Sequence, residues 1–408
     1  MARFEIPLYD RTETIELPDA WQVTYAAISD APTLGADEMR KALANPIGAE
    51  RLSSLARGKG NVVVVVDDNT RPTPAWQFLP HIIEELHAGG VEDHQITILA
   101  GLALHRPMTL PEFRRKVGQR IVDTYRCINP SPWEDLVYLG DTEAGIPVKM
   151  NSDYVNADLR VTCGGIIPHP TAGFGGGAKL TMPGVSSYET ITSHHLSDQF
   201  KENSERGIVD RNADREEIEN IAAFCPPDFV VNPALNREMK AAALFCGHYI
   251  QAHRVGVELG KKLYAVEAQP NADMTVISAA PQDSEMMQAL KALANGFGVI
   301  HSVRSDGVVL CAADAVEGFG YHQMLEHKRR TGGPERLTRP GYYLDRQMLC
   351  YSPNISPVEF KEEAPEGFEL FRDLEDAIEV LESQSKSRSP VVNIFPQGAV
   401  SMYSAPST

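Results

Sequence analysis

The chain has no Cys-x-x-Cys pair, no apolar run long enough to cross a bilayer, no internal repeat, no low-complexity tract and no excess of basic charge. Each absence closes off a class of function. The six cysteines (Cys127, Cys163, Cys225, Cys246, Cys311, Cys350) are scattered through 408 residues and read as reduced, structural thiols of a cytoplasmic protein. No stretch approaches the ~18 apolar residues that a span requires, and Met1-Ala2-Arg3-Phe4-Glu5 lacks the apolar region of a signal peptide, so no membrane is expected. A formal net charge of −17 argues against nucleic acid and against anionic membrane surfaces as partners. An anionic substrate would have to be drawn in by local arginines and lysines. What remains is a globular composition, 43% hydrophobic and 23% charged, on a chain long enough for two domains.

The most unusual stretch is Pro168-His169-Pro170-Thr171-Ala172-Gly173-Phe174-Gly175-Gly176-Gly177-Ala178-Lys179. Its glycines permit close approach of a phosphate-sized group, and the reading is a cofactor loop ending in a lysine. It is no P-loop, because Lys179 follows Ala178 and precedes Leu180 where a Walker A motif needs Gly-Lys-Ser/Thr. Gly173 to Ala178 fits the loose dinucleotide fingerprint, yet the preceding strand ends too early for a tight strand-to-helix turn.

Three strands lead to chemically suggestive loops. Val62 to Val66, five consecutive valines, has the pattern of a fully buried parallel strand and ends in Asp67-Asp68-Asn69-Thr70-Arg71-Pro72. Thr73 is expected to cap the next helix, with Pro74 in its first turn. Gln95 to Ala100 opens into a loop with His105, and Thr109 and Glu112 form a capping box. Leu159 to Cys163 opens into the glycine loop. Ligands of open parallel sheets bind beyond the carboxyl ends of the strands, so Arg71, His105, His169 and Lys179 are expected on one rim.

Elsewhere the patterns predict a helix from Asp37 to about Leu55, a helix over Tyr188 to His195, and strands at Phe229 to Asn232, Met274 to Ser278, Val308 to Cys311 and Val391 to Phe395. The basic run His327-Lys328-Arg329-Arg330 reads as a solvated helix end or an anion contact. The fold class is α/β, two domains with mainly parallel, Rossmann-like sheets and an active-site cleft between them. Residues 1–269 form the cofactor-binding and catalytic domain. Residues 270–408 close the cleft, with the last strand as a possible return to the first domain.

Asp67-Asp68-Asn69-Thr70-Arg71-Pro72, His105-Arg106-Pro107, Pro168-His169-Pro170 and Gly175-Gly176-Gly177-Ala178-Lys179, in this order over most of the chain, resemble the lactate racemase family. That resemblance implies a nickel-pincer nucleotide, a pyridinium thioamide/thiocarboxylate mononucleotide carrying Ni, tethered to Lys179 with Asp68, Thr70, Gly175, Gly176 and Gly177 around it. It implies His195 as the nickel ligand, His105 and His169 as catalytic bases, and Arg71, Gln288 and Lys291 as substrate contacts. The implied reaction is racemisation or epimerisation of a 2-hydroxy acid by reversible hydride transfer. The partners implied are that small acid and cofactor-maturation enzymes, with a homo-oligomer as one option.

The chemistry asks for such residues. Hydride loss from a carbinol carbon needs simultaneous loss of the hydroxyl proton, which neutral imidazole accepts, and two bases serve the two enantiomers. A guanidinium holds the substrate carboxylate through paired hydrogen bonds. One imidazole among soft ligands suits tetragonal Ni(II). Where the family commonly has an aromatic residue beside the glutamine this chain has Met287-Gln288, so a substrate side chain other than lactate's methyl is expected. Two other readings stay open: a pyridoxal phosphate racemase with Lys179 as Schiff base, and a non-enzymatic protein that binds a hydroxy acid or a nucleotide.

Overall fold

The computed structural model describes residues 1–294, 296–324, 326 and 345–405. The basic run 327–330 lies outside the described residues. Two six-stranded sheets organise the chain. In the first, the spatial order is Ala241–Gly247, Phe229–Leu235, Leu159–Cys163, Val62–Asp67, Ile96–Gly101, Arg126–Ile128. Every neighbouring pair is parallel except the edge pair formed by Ala241–Gly247. The valine strand lies near the centre with all six residues buried, as a strand covered on both faces must be.

The second sheet runs Phe368–Phe371, Gln347–Tyr351, Val303–Ala312, Ala272–Ser278, Val391–Phe395, Gln22–Tyr25, and all its pairings are parallel. The strand Gln22–Tyr25 thus belongs with the second sheet although it lies near the amino terminus. The strand Val391–Phe395 stays in that sheet between Gln22–Tyr25 and Ala272–Ser278. The hairpin of Ala2–Leu8 and Arg11–Leu17 also sits there, its inward Ile6, Leu8, Ile15 and Leu17 packed with Met274, Val276, Leu310 and Leu349. One apolar core joins the two halves, since Ile166, Ile167 and Phe174 cluster with Ile277, Ala289, Leu293 and Val400.

Local details depart from the sequence patterns at two points. The helix expected to reach Leu55 stops at Ala44, because Asn45-Pro46 cannot continue it and Gly48 takes φ +66°. Thr73 caps nothing. The helix begins at Ala75, and the Thr73 hydroxyl instead donates to Asp67 Oδ2 at 2.5 Å and accepts from Gly165 N at 3.1 Å. The capping box at Thr109 and Glu112 and the helix Tyr188–His195 form as the patterns predict. Among the described residues no helix is long and apolar enough to cross a membrane.

Candidate functional site

The strand Val62–Asp67 delivers two carboxylates with different duties. Asp67, buried, is neutralised by the equally buried Lys116 (Nζ to Oδ1 2.9 Å) and serves the fold. Asp68 turns to the site. Its Oδ1 accepts from the backbone N–H of Thr70 at 2.8 Å and from the Thr70 hydroxyl at 2.5 Å, while Oδ2 lies 2.6 Å from His105 Nδ1. Burial opposes ionisation here, but His105, these hydrogen bonds and Arg71 outweigh it and hold the Asp68 carboxyl well below the usual range. His105 comes from the loop after Ile96–Gly101 and is itself buried.

The segment after Ala272–Ser278 reaches across from the second sheet. Gln288, on the short helix Met286–Ala289, accepts at Oε1 from Arg71 (3.1 Å) and from Lys291 Nζ, which leaves its amide nitrogen 3.3 Å from His105 Nε2. Arg71 also donates to Thr70 Oγ1 at 2.7 Å. Asp68, Thr70, Arg71, His105, Gln288 and Lys291 therefore form one bonded chain across the two sheets. Burial, reinforced by Arg71 and Lys179, lowers the Lys291 pKa well below that of an ordinary lysine.

The glycine loop is built tightly. Gly173 takes φ +71°, and a β-carbon there would lie 2.0 Å from Ile208 O; one on Gly175 would lie 2.7 Å from Gly165 O. The carbonyls of Phe174 and Gly176 are held by the fully buried Arg215, and that of Gly175 lies 2.9 Å from His253 Nε2. Two loop N–H groups are spent internally, Gly175 on Ile167 O (2.7 Å) and Gly177 on the buried Asn232 Oδ1 (3.0 Å). These glycines are thus required by close packing, and the loop presents Lys179 from a rigid base. Among the described residues the Lys179 amine has no hydrogen-bond or ion-pair partner. Burial, with Arg215 and Arg71 nearby and Asp214 opposing, lowers its pKa to about 8.

His169 pairs in a two-residue ladder with Gly173, and its Nδ1 accepts from the N–H groups of Thr171 (3.3 Å) and Ala172 (3.1 Å). Burial and the cations Lys179, Lys291, Arg71 and Arg215 push its pKa well below the usual imidazole value. At the end of Tyr188–His195 the two histidines diverge. His194 is buried against Phe200, with Nε2 3.5 Å from Asp214 Oδ1. His195 keeps accessible surface, although surrounding protein and the neighbours His194, Lys179 and His322 lower its pKa well below normal. Its Nδ1 is 3.1 Å from His194 Nδ1, which leaves Nε2 for another partner.

Three participants escaped the sequence patterns. His322, from the segment after Val303–Ala312, sets its ring edge-on to His105 with centroids 5.4 Å apart, and their backbones form an isolated antiparallel bridge. Glu317, on the same segment, takes Arg106 Nε at 2.6 Å across the sheets. Asn232 is a lone buried polar residue in the strand Phe229–Leu235. The signal for the first two is the strand-end position already used for Arg71 and His105; for Asn232 it is the break in an apolar run.

A sequence profile of the lactate racemase N-terminal domain matches residues 9–207. The chain is 30% identical over 330 residues to a lactate racemase of Thermoanaerobacterium thermosaccharolyticum, covering 78% of this chain and 76% of that protein. It is 29% identical over 339 residues to a lactate racemase of Lactiplantibacillus plantarum, covering 80% and 79%. In three dimensions it resembles the lactate racemase apoprotein from T. thermosaccharolyticum with a TM-score of 0.80 at 25% identity, over 99% of this chain and 100% of that one. A Thermotoga maritima protein shares the fold at a TM-score of 0.70 and 17% identity, over 92% of this chain and 100% of that one.

Proposed function

Because this chain belongs to the lactate racemase family, we propose that it interconverts the stereoisomers of a 2-hydroxy acid by reversible hydride transfer, using a nickel-pincer nucleotide tethered to Lys179. The observation that carries this reading is the bonded chain Asp68, His105, Gln288, Arg71, Lys291. It sets a carboxylate-oriented imidazole beside a guanidinium and an amine. Gln288 Oε1, held by Arg71 and Lys291, occupies the position that a substrate carboxylate oxygen would take. With the carboxylate fixed there, the α-hydroxyl lies within the reach of His105, which accepts its proton.

The residues fit the cofactor. Lys179 offers a half-buried amine with a pKa near 8 and, among the described residues, no partner, so an appreciable neutral fraction can attack an activated acyl group near neutral pH. His195 offers an imidazole with accessible surface. Among the described residues no cluster of three or more His, Cys, Asp or Glu is placed to hold a metal ion, so a metal here would take most of its ligands from the organic group that carries it. When bound, that group supplies hydride acceptance. The chain's own residues hold it at Lys179 and His195, grip the carboxylate with Arg71 and Lys291, and manage the hydroxyl proton. Met287 beside Gln288, where the family commonly has an aromatic residue, is in keeping with a side chain other than methyl.

Protein produced together with cofactor-maturation enzymes should carry added mass on Lys179 by peptide mapping, and nickel that His195→Ala removes and His194→Ala reduces less. Racemisation is then screened over 2-hydroxy acids by chiral chromatography. Active protein with unmodified Lys179 would refute the tether. An aldimine absorbance lost on borohydride treatment would favour pyridoxal phosphate instead.

A further inference from the structure

Two polar side chains beside His105 keep bonding capacity that no described residue uses. Glu285, just before the short helix Met286–Ala289, is 1% exposed, and its Oε1 makes no hydrogen bond among the described residues. Its Oε2 is turned to the segment after Val303–Ala312, 3.4 Å from Tyr321 N, where a β-carbon on Gly320 would lie 2.5 Å from it. The groups that face this carboxylate are His105, Gln288, Glu317 and Lys291. A buried carboxylate oxygen without a donor is costly, and it marks a place where a ligand's donor belongs.

His322 stands on that same segment, one residue past Tyr321. Its ring lies edge-on to His105, with centroids 5.4 Å apart. Nδ1 accepts from Met324 N at 3.3 Å, and burial together with His105, Lys291 and Arg71 lowers the pKa well below the ordinary imidazole value. The neutral ring therefore carries its proton on Nε2, which has no hydrogen-bond partner among the described residues. One residue offers a free acceptor and the other a free donor.

Both adjoin His105, the residue assigned to the hydroxyl on C2, while the carboxylate end of the site is taken by Arg71 and Lys291. The next substrate atom beyond C2 is C3. A hydroxyl there is donor and acceptor at once, and can donate to Glu285 Oε1 while accepting from His322 Nε2. A methyl would leave both unpaired, and a second carboxylate would set like charge against Glu285.

We propose that Glu285 and His322 select 2-hydroxy acids that carry a further hydroxyl on C3, the class to which sugar acids belong, over alkyl and dicarboxylic ones. This names the substrate class of the racemase reading above and rests on it.

Glycerate is lactate with one hydroxyl added on C3, so the pair isolates the contact. In cofactor-loaded enzyme, kcat/KM for glycerate should exceed the values for lactate and malate by about 10²-fold. Glu285→Gln keeps an acceptor for Tyr321 N and puts NH₂ in place of Oε1, and His322→Phe keeps a flat ring without the donor. Each should lower the glycerate-to-lactate ratio by about tenfold, and Glu285→Gln should also raise the value for malate. The two residues lie on different elements, so a variant that melts early leaves the other to decide. A wild-type ratio within about threefold of unity, or one that neither folded variant moves, overturns the inference with racemisation intact. Calorimetry on cofactor-free protein separates this from failure of the reaction itself, since glycerate should bind about tenfold more tightly than lactate there too. That preference without racemisation of any 2-hydroxy acid by loaded protein supports the selecting pair and refutes the racemase reading; equal binding of the two acids refutes the pair.

Discussion

Replacing Asp68 by asparagine should silence the enzyme while leaving it folded, through the direction in which the new amide is forced to point. The Thr70 backbone N–H, 2.8 Å from Oδ1, needs an acceptor, so the asparagine oxygen must stay there. Its NH₂ then faces His105 Nδ1 at the position of the present 2.6 Å contact. An NH₂ can only donate, and its 2.6 Å contact outweighs the 3.3 Å contact of the Gln288 amide with Nε2, so His105 is driven to carry its proton on Nε2 and the lone pair that accepts the hydroxyl proton is lost. The equivalent change in a serine-protease triad costs about 10⁴-fold in kcat. Here the Thr70 hydroxyl, 3.3 Å from Nδ1, can accept from the productive tautomer and recover part of this. The expected loss is therefore about 10³-fold, or ~4 kcal/mol of transition-state stabilisation. Initial rates from each pure enantiomer, normalised to bound nickel, measure it. Activity within about tenfold of wild type at full cofactor loading would show that Asp68 does not set the His105 tautomer.

Arg71→Lys keeps the charge but cannot bridge Thr70 Oγ1 and a ligand oxygen as the guanidinium does, so KM should rise with a cost of about 1.5–3 kcal/mol, read from steady-state kinetics. The amine of cofactor-free Lys179 should react with a small acylating reagent with a midpoint near pH 8, followed by peptide mapping; a midpoint near that of an ordinary lysine would contradict its enclosure. The sign carries over to stability. A lysine with a folded pKa below its unfolded value makes the unfolded chain bind more protons, so the cofactor-free protein should gain stability as pH rises from about 8 towards the normal lysine pKa, and Lys179→Met should flatten that rise in denaturant titrations. Gly173→Ala should cost about 2 kcal/mol or more, since it adds left-handed strain to a clash with Ile208 O, and chemical denaturation will show it.

Much of this protein is written locally. Five valines in a row can only be a strand covered on both faces, and that strand's end fixes where Asp68, Thr70 and Arg71 emerge. Thr109 with Glu112 starts one helix and Ser187 starts another, so His195 is placed by short-range hydrogen bonding and helical pitch. Asn45-Pro46 was equally legible as a stop, and the apolar pattern beyond it misleads because periodicity says nothing of the backbone break.

What tertiary structure decided is which distant groups share a bond. No local pattern tells that Gln22–Tyr25 pairs with Val391–Phe395, since strand neighbours are chosen by the packing of the finished sheet. None tells that Asp68 meets His105, that the glycine loop's carbonyls turn to Arg215, or that His322 comes to rest against His105. The sequence by itself determined which residue types stand at the strand ends, because backbone preference and hydrophobic burial act over a few neighbouring residues. The hydrogen bonds between those ends were decided only when folding brought Arg71 and Lys291 to Gln288, and two backbone N–H groups to His169.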